Sequence, residues 1–171
     1  MSKKALFLDR DGVINIDYGY VYKIDDFDFI DGIFDILRYF QKRGYYIFII
    51  TNQSGIDRGY YRVEDYNILT QWMLKEFKKE KITITKVLFC PYLTGENSKC
   101  RKPNIGMINT ILDEYDIDLS NSIMVGDKPS DIDMAINAGI KESIYISSKK
   151  SLGRESLYFN SVNEYKKYLC V

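Results

Sequence analysis

Histidine is absent from the 171-residue chain, which excludes phosphohistidine chemistry, a Ser-His-Asp triad and imidazole metal ligands. Proton transfer must fall to carboxylates, lysines, tyrosines or water. Cysteine is scarce: Cys90, Cys100 and Cys170 are an odd, sparse set that argues against a disulfide framework and for reduced thiols. Net charge is missing too. The 24 basic residues balance the 24 acidic ones, so no global field draws the chain to nucleic acid or membrane, and any anion must be met locally. The first strand is too short to be a signal-peptide core or a bilayer span. A cytoplasmic protein with no nucleic-acid or membrane partner is expected.

Apolar residues make up 46% of the chain and aromatics 15%, enough for one well-buried core but short for two, so residues 1–171 should form a single domain. Apolar runs at residues 4–8, 45–50, 86–89, 122–125 and 143–146 read as strands, the first of them buried and the isoleucine-rich second covered on both faces. Helical spacing appears between them. Ile33, Phe34, Leu37 and Phe40 precede a capping Gly44, and Tyr66, Leu69, Met73 and Phe77 mark a second helix. Asn104 is read as the cap of a third, with Met107, Ile108, Ile111, Leu112 and Tyr115 inward. Ser130 or Asp131 would cap a fourth that buries Ile132, Ala135 and Ile136, and a short helix near residues 162–169 closes the chain. The stretch from Gly12 to about Asp31 has no helical period and reads as a loop or flap. This alternation predicts an α/β fold, a three-layer doubly wound parallel sheet, whose ligands bind beyond the carboxyl ends of the strands.

Polar residues collect at that edge. Asp9 and Asp11 follow the first strand with the spacing that sends both the same way while Arg10 turns aside. Asp127 follows the fourth strand through Gly126, so three carboxylates can converge and require a cation, for which oxygen-bound magnesium is the natural choice. Thr51, with Asn52 and the small Ser54 and Gly55, offers a hydroxyl and backbone amides to a phosphate. Lys102, past the third strand, is a candidate cation for a phosphoryl group, and Asp131 suits either a helix cap or support of the metal.

Asp9-x-Asp11-Gly12, Thr51, Lys102 and Gly126-Asp127-x-x-x-Asp131, in that order, resemble the four motifs of the haloacid dehalogenase superfamily of phosphotransferases. The likeness covers nearly the whole chain. Asp9-Arg10-Asp11-Gly12-Val13-Ile14-Asn15, Thr51-Asn52-Gln53-Ser54-Gly55-Ile56-x-Arg58-Gly59 and Cys100-Arg101-Lys102-Pro103 resemble its histidinol-phosphate and heptose-bisphosphate phosphatase branch. Asp17-x-Gly19-Tyr20-Val21 and Phe29-Ile30-Asp31-Gly32 look most like the D-glycero-D-manno-heptose 1,7-bisphosphate 7-phosphatases, which act on a small sugar phosphate on the way to nucleotide-activated heptose for surface polysaccharide.

That resemblance implies catalysis by Asp9 as nucleophile and Asp11 as acid and base, with Thr51 and Lys102 on the phosphoryl oxygens. It implies Mg2+ on Asp9, Asp127 and the backbone carbonyl of Asp11. The substrate would be held by Asp17, Tyr18, Gly19, Tyr20, Asn52, Gln53, Ser54, Arg101 and Lys128. Relatives close a zinc loop with cysteine, histidine and two further cysteines. Here only Cys90 and Cys100 stand at matching places, with Tyr92 and Ser98 where other ligands belong, so zinc is not expected; Glu96, Asn97 and Ser98 are expected to help close the loop instead. The motifs leave no room for a large cap domain, and a monomer is expected. Histidinol phosphate is the alternative substrate. A receiver-type phospho-accepting domain is the alternative class, against which the acid two residues after the acceptor argues.

Overall fold

Alternation along the first strand sets both helical layers. In the computed structural model, which describes residues 2–95 and 98–171, β1 (Ala5–Leu8) sends Leu6 and Leu8 into one apolar cluster and Ala5 and Phe7 into another on the opposite face. The remaining strands are β2 (Tyr46–Asn52), β3 (Lys86–Cys90), β4 (Ile123–Gly126), β5 (Glu142–Ile146) and β6 (Leu157–Phe159). They pair in parallel in the order β3-β2-β1-β4-β5-β6. The helices are α1 (Ile33–Lys42), α2 (Val63–Lys79), α3 (Gly106–Glu114), α4 (Pro129–Ala138) and α5 (Val162–Tyr168). Helices α1, α2 and α5 bury Leu37, Met73 and Tyr165 with Leu6 and Leu8, whereas α3 and α4 bury Ile108 and Ala135 with Phe7. The result is a three-layer doubly wound sheet without a large cap. Strand order reverses between β1 and β4, the crevice where such sheets bind ligands.

Several details depart from the sequence reading. Strand β6 is an added edge strand, bonded to β5. Helix α3 starts at Gly106, and the Asn104 amide donates to the Ser98 carbonyl at 3.0 Å rather than capping it. Ile136 is 50% exposed and Leu112 37%; the buried position beside Ala135 goes to Met134 instead. The 12–31 flap holds a short 3-10 turn at Ile24–Asp26 and is pinned by Phe27 and Phe29 packing on Trp72.

Cys90 and Cys100 are not reduced thiols but a disulfide. The end of β3 and the 3-10 turn at Ser98–Cys100 bring their Cα atoms to 5.4 Å, within bridging range, and proximity overrides an argument made from composition. Ser98 closes the turn through hydrogen bonds with Gly95; Glu96 and Asn97 lie outside the described residues. Among those described, no helix is long and apolar enough to cross a membrane.

Candidate active site

The phase of β1 carries past its last residue. Asp9 continues the series of Ala5 and Phe7 toward α3 and α4, and there it meets Lys102, whose Nζ lies 2.8 Å from Asp9 Oδ1 and 2.7 Å from Asp131 Oδ1 and donates to the Ile50 carbonyl. All three side chains are buried. Lys102 is held there from β2, because Asn52 accepts from its backbone N–H at 3.0 Å and donates to its carbonyl. Asn52, read as an anion contact, thus spends its amide on the loop that carries the lysine.

Arg10 follows the opposite phase, that of Leu6 and Leu8, and this role was missed in the sequence although alternation was its signal. It is 1% exposed, lies near the rings of Phe27 and Tyr66, and grips Asp11 with two hydrogen bonds of 3.1 and 2.9 Å. Asn15 and Gln53 donate to the same carboxylate. Asp9 and Asp11 therefore occupy separate environments: one faces a buried lysine and two acids, the other four N–H donors.

Of the two roles open to Asp131 the structure shows the helix cap. Its Oδ2 accepts from the Lys128 backbone N–H, capping α4, and its other oxygen, Oδ1, faces Lys102. Asp9, Asp127 and Asp131 each offer an oxygen within 4.8 Å of the others. Asp127 Oδ1 is buried with no hydrogen-bond partner among the described residues. Gly12 makes room for that carboxylate: a Cβ there would stand 2.2 Å from Asp127 Oδ2. A set of hard oxygens with one orphaned fits Mg2+, and since Asp131 is committed to Lys102 and the helix end, Asp9 and Asp127 are the carboxylates left to hold it. The carboxylate of Asp11 is outside this cluster.

Charge follows geometry. Burial works to raise the Asp9 carboxyl, but Lys102 and then Lys128 outweigh it and hold the group below its ordinary value. Burial, then repulsion from Asp9, pushes Asp127 up to about 8. Burial also raises Asp131 against the pull of Lys102. Lys128 is kept protonated well above its usual range, because Asp127, Asp9 and Asp17 overcome the cost of its burial.

A pH effect follows. Since the folded Asp127 titrates near 8 and the ordinary value is 3.8, the folded state binds the extra proton between these limits, and the stability it contributes is lost as pH rises through about 8. In chelator, Asp127→Asn should gain in melting temperature on the wild type as pH is raised from about 6 to about 9. A gap that stays constant across that window would refute the assignment.

A cavity of about 300 Å³ opens beside this cluster, lined by Asp11, Asp17, Gly19, Tyr20, Gln53, Ser54, Arg101 and Lys128, with Asn52 and Tyr61 among its other walls. The Asp17 carboxylate accepts from the Gly19 N–H and pairs with Lys128 across the mouth at 3.1 Å. Tyr18 is not brought in. It is 59% exposed, and its hydroxyl donates to Asp28 at 2.9 Å on the outer side of the flap. Thr51 is buried behind the lining residue Gln53, from which its hydroxyl accepts.

The family model described as polynucleotide kinase 3 phosphatase matches residues 8–154. The chain is 51% identical over 164 residues, 96% of its length and 94% of the relative's, to the D-glycero-alpha-D-manno-heptose-1,7-bisphosphate 7-phosphatase of Campylobacter jejuni subsp. jejuni. It is 42% identical, covering 89% of this chain and 86% of the relative, to the D-glycero-beta-D-manno-heptose-1,7-bisphosphate 7-phosphatase of Haemophilus influenzae. Its fold matches that of D,D-heptose 1,7-bisphosphate phosphatase from B. bronchiseptica, crystallised with magnesium and phosphate, with a TM-score of 0.84, 23% identity and 98% of each chain covered. With this identity along almost its whole length, the chain belongs to the heptose-1,7-bisphosphate 7-phosphatase family of the haloacid dehalogenase phosphatases.

Proposed function

We propose that this phosphatase removes the C7 phosphate of D-glycero-D-manno-heptose 1,7-bisphosphate through an aspartyl-phosphate on Asp9, yielding heptose 1-phosphate for a nucleotide-activated surface sugar. One observation carries the chemical part: Asp9 is a buried, ionised carboxylate whose donors, Lys102 Nζ and the Arg10 N–H, both fall on Oδ1. No described residue donates to Oδ2, so that oxygen keeps its lone pairs for phosphorus.

In the first half-reaction Asp9 Oδ2 forms the new P–O bond as the P–O bond to the sugar C7 oxygen breaks, and Asp11, which enters this step carrying a proton taken from solvent, delivers it to that departing oxygen. In the second, Asp11 takes a proton from water as the water oxygen bonds to phosphorus, which releases inorganic phosphate and restores Asp9. Dividing the reaction this way replaces one very slow displacement by two easier ones. Mg2+, when held by Asp9, Asp127 and the Asp11 carbonyl, neutralises phosphoryl charge. Thr51 and Lys102 bind phosphoryl oxygens, while Arg101, Lys128 and the 17–20 flap meet the rest of the substrate. With no large cap, specificity rests on that flap and the 90–102 loop.

The test is a steady-state comparison of kcat/KM for both anomers of the heptose bisphosphate and for histidinol phosphate. A preference of at least about tenfold for a heptose bisphosphate is expected, the kind of margin that contacts to substrate hydroxyls supply. A preference for histidinol phosphate would replace the substrate while leaving the phosphatase chemistry in place.

A further inference from the structure

One side-chain amide links two of the reacting groups. Gln53 Nε2 donates to Asp11 Oδ2 and to Thr51 Oγ1, each at 2.9 Å, and its Oε1 accepts from the Tyr61 hydroxyl at 2.5 Å. An amide has one donor end and one acceptor end. The Tyr61 proton therefore decides which end faces Asp11, since the reversed amide would set a carbonyl oxygen against a carboxylate and leave the phenol proton without an acceptor. The same choice directs Thr51. With its oxygen accepting from Gln53, the Thr51 proton must point elsewhere.

Tyr61 is built in for this contact. It is 5% exposed, its ring stacks on Tyr22 at 5.0 Å and 11°, and it fills the space beside Gly55, where a Cβ would stand 2.2 Å from Tyr61 Cε1. Burial pushes the phenol up to about 12, so it remains a donor throughout the neutral range. Buried hydroxyls without a partner are costly, and among the described residues the single acceptor of the Tyr61 proton is the amide that touches the proposed acid.

We infer that Tyr61 is a positioning residue for proton transfer, acting through Gln53 to aim Asp11 at the leaving-group oxygen. The inference rests on Asp11 as the acid of the proposed reaction. It assigns no contact with substrate to Tyr61; the residue works one hydrogen bond away.

The experiment measures kcat/KM, which covers steps through departure of the leaving group, for an alkyl phosphate such as the heptose bisphosphate and for p-nitrophenyl phosphate. An alkoxide must be protonated as it leaves, whereas p-nitrophenolate departs without help. Tyr61→Phe keeps the ring and should lower kcat/KM for the alkyl ester by about tenfold, a fraction of the 10²–10⁴ that proton transfer supplies, with less than about a twofold change for the aryl ester. Added to Gln53→Ala, Tyr61→Phe should cost nothing more, because its only route is already gone. An unchanged alkyl rate, equal losses on both esters, or additive losses in the double variant would each overturn the inference. Asp11→Asn separates the two claims: if it shows the alkyl-specific loss while Tyr61→Phe does not, only the role of Tyr61 fails. If Asp11→Asn lacks that loss, the acid assignment itself is wrong.

Discussion

Asp9→Asn is expected to abolish turnover, by on the order of 10⁴-fold or more, while the protein stays folded. The substitution keeps the shape of the side chain and removes the charge that attacks phosphorus. The structure indicates why the fold should tolerate it. Lys102 keeps Asp131 at 2.7 Å and the Ile50 carbonyl at 2.8 Å, so the buried cation is still answered. Repulsion on Asp127 is also relieved, since Asp9 is, after burial, the main reason that carboxyl is raised to about 8. The lost attraction and the lost repulsion oppose one another, and the melting temperature should change little. Acid quenching of the wild type during turnover, followed by mass spectrometry, should find one phosphoryl group on the peptide that contains Asp9. Substantial turnover by Asp9→Asn, or a phosphoryl group on another peptide, would refute the covalent role.

What sequence reveals here depends on how local the cause is. Asp9, Lys102 and Asp127 were legible because each is polar where an apolar strand has just ended or its loop returns to the sheet edge, and Thr51 because it is the first polar residue after the apolar run of β2; four such places on one alternating chain point to one edge of the sheet. Arg10 was half legible. Alternation turns it from Asp9, but its burial depends on Phe27 and Tyr66, one from an aperiodic flap and one from α2, and no window of sequence contains all three. Tyr61 had no signal beyond its type, because its partner Gln53 is chosen by the turn at Gly55. Strand β6 is three residues at a sheet edge and exists through pairing with β5, a contact that periodicity does not encode. The Cys90–Cys100 bridge and the Asn104–Ser98 bond share that origin: both are made by the return of one loop on itself. The Ile136 and Leu112 errors are smaller, an apolar residue one step around the helix from the buried stripe.

Lys102→Met should produce the largest loss of stability of any single change in the site. The lysine is the buried cation of the cluster, 2.8 Å from Asp9 and 2.7 Å from Asp131, with both pairs almost wholly out of solvent. Burial alone would favour its neutral form, yet Asp131 and Asp9 hold its protonation above the ordinary range. Removing one partner of a buried pair costs about 3–5 kcal/mol, because the other charge is left uncompensated. Here two carboxylates are left, beside a third in Asp127, and Lys128, half outside and paired with Asp17, cannot replace the lost ammonium. For a chain of this length that is a fall in melting temperature of roughly 6–20 °C, together with loss of activity. The deficit should shrink in two ways. Lower pH protonates carboxyls that burial already disposes to be neutral, Asp127 and Asp131, so the gap from wild type should narrow from about pH 8 to about pH 6. Magnesium held by Asp9 and Asp127 would bind the folded state and, with Lys102 gone, would also offset the carboxylate repulsion that the variant alone carries, so saturating magnesium should raise the variant more than the wild type. Melting curves of both proteins, with chelator and with magnesium at each pH, check this. If Lys102→Met is as stable as wild type in chelator near pH 8, the lysine is not what holds these carboxylates together, and the charge balance proposed for the site is wrong.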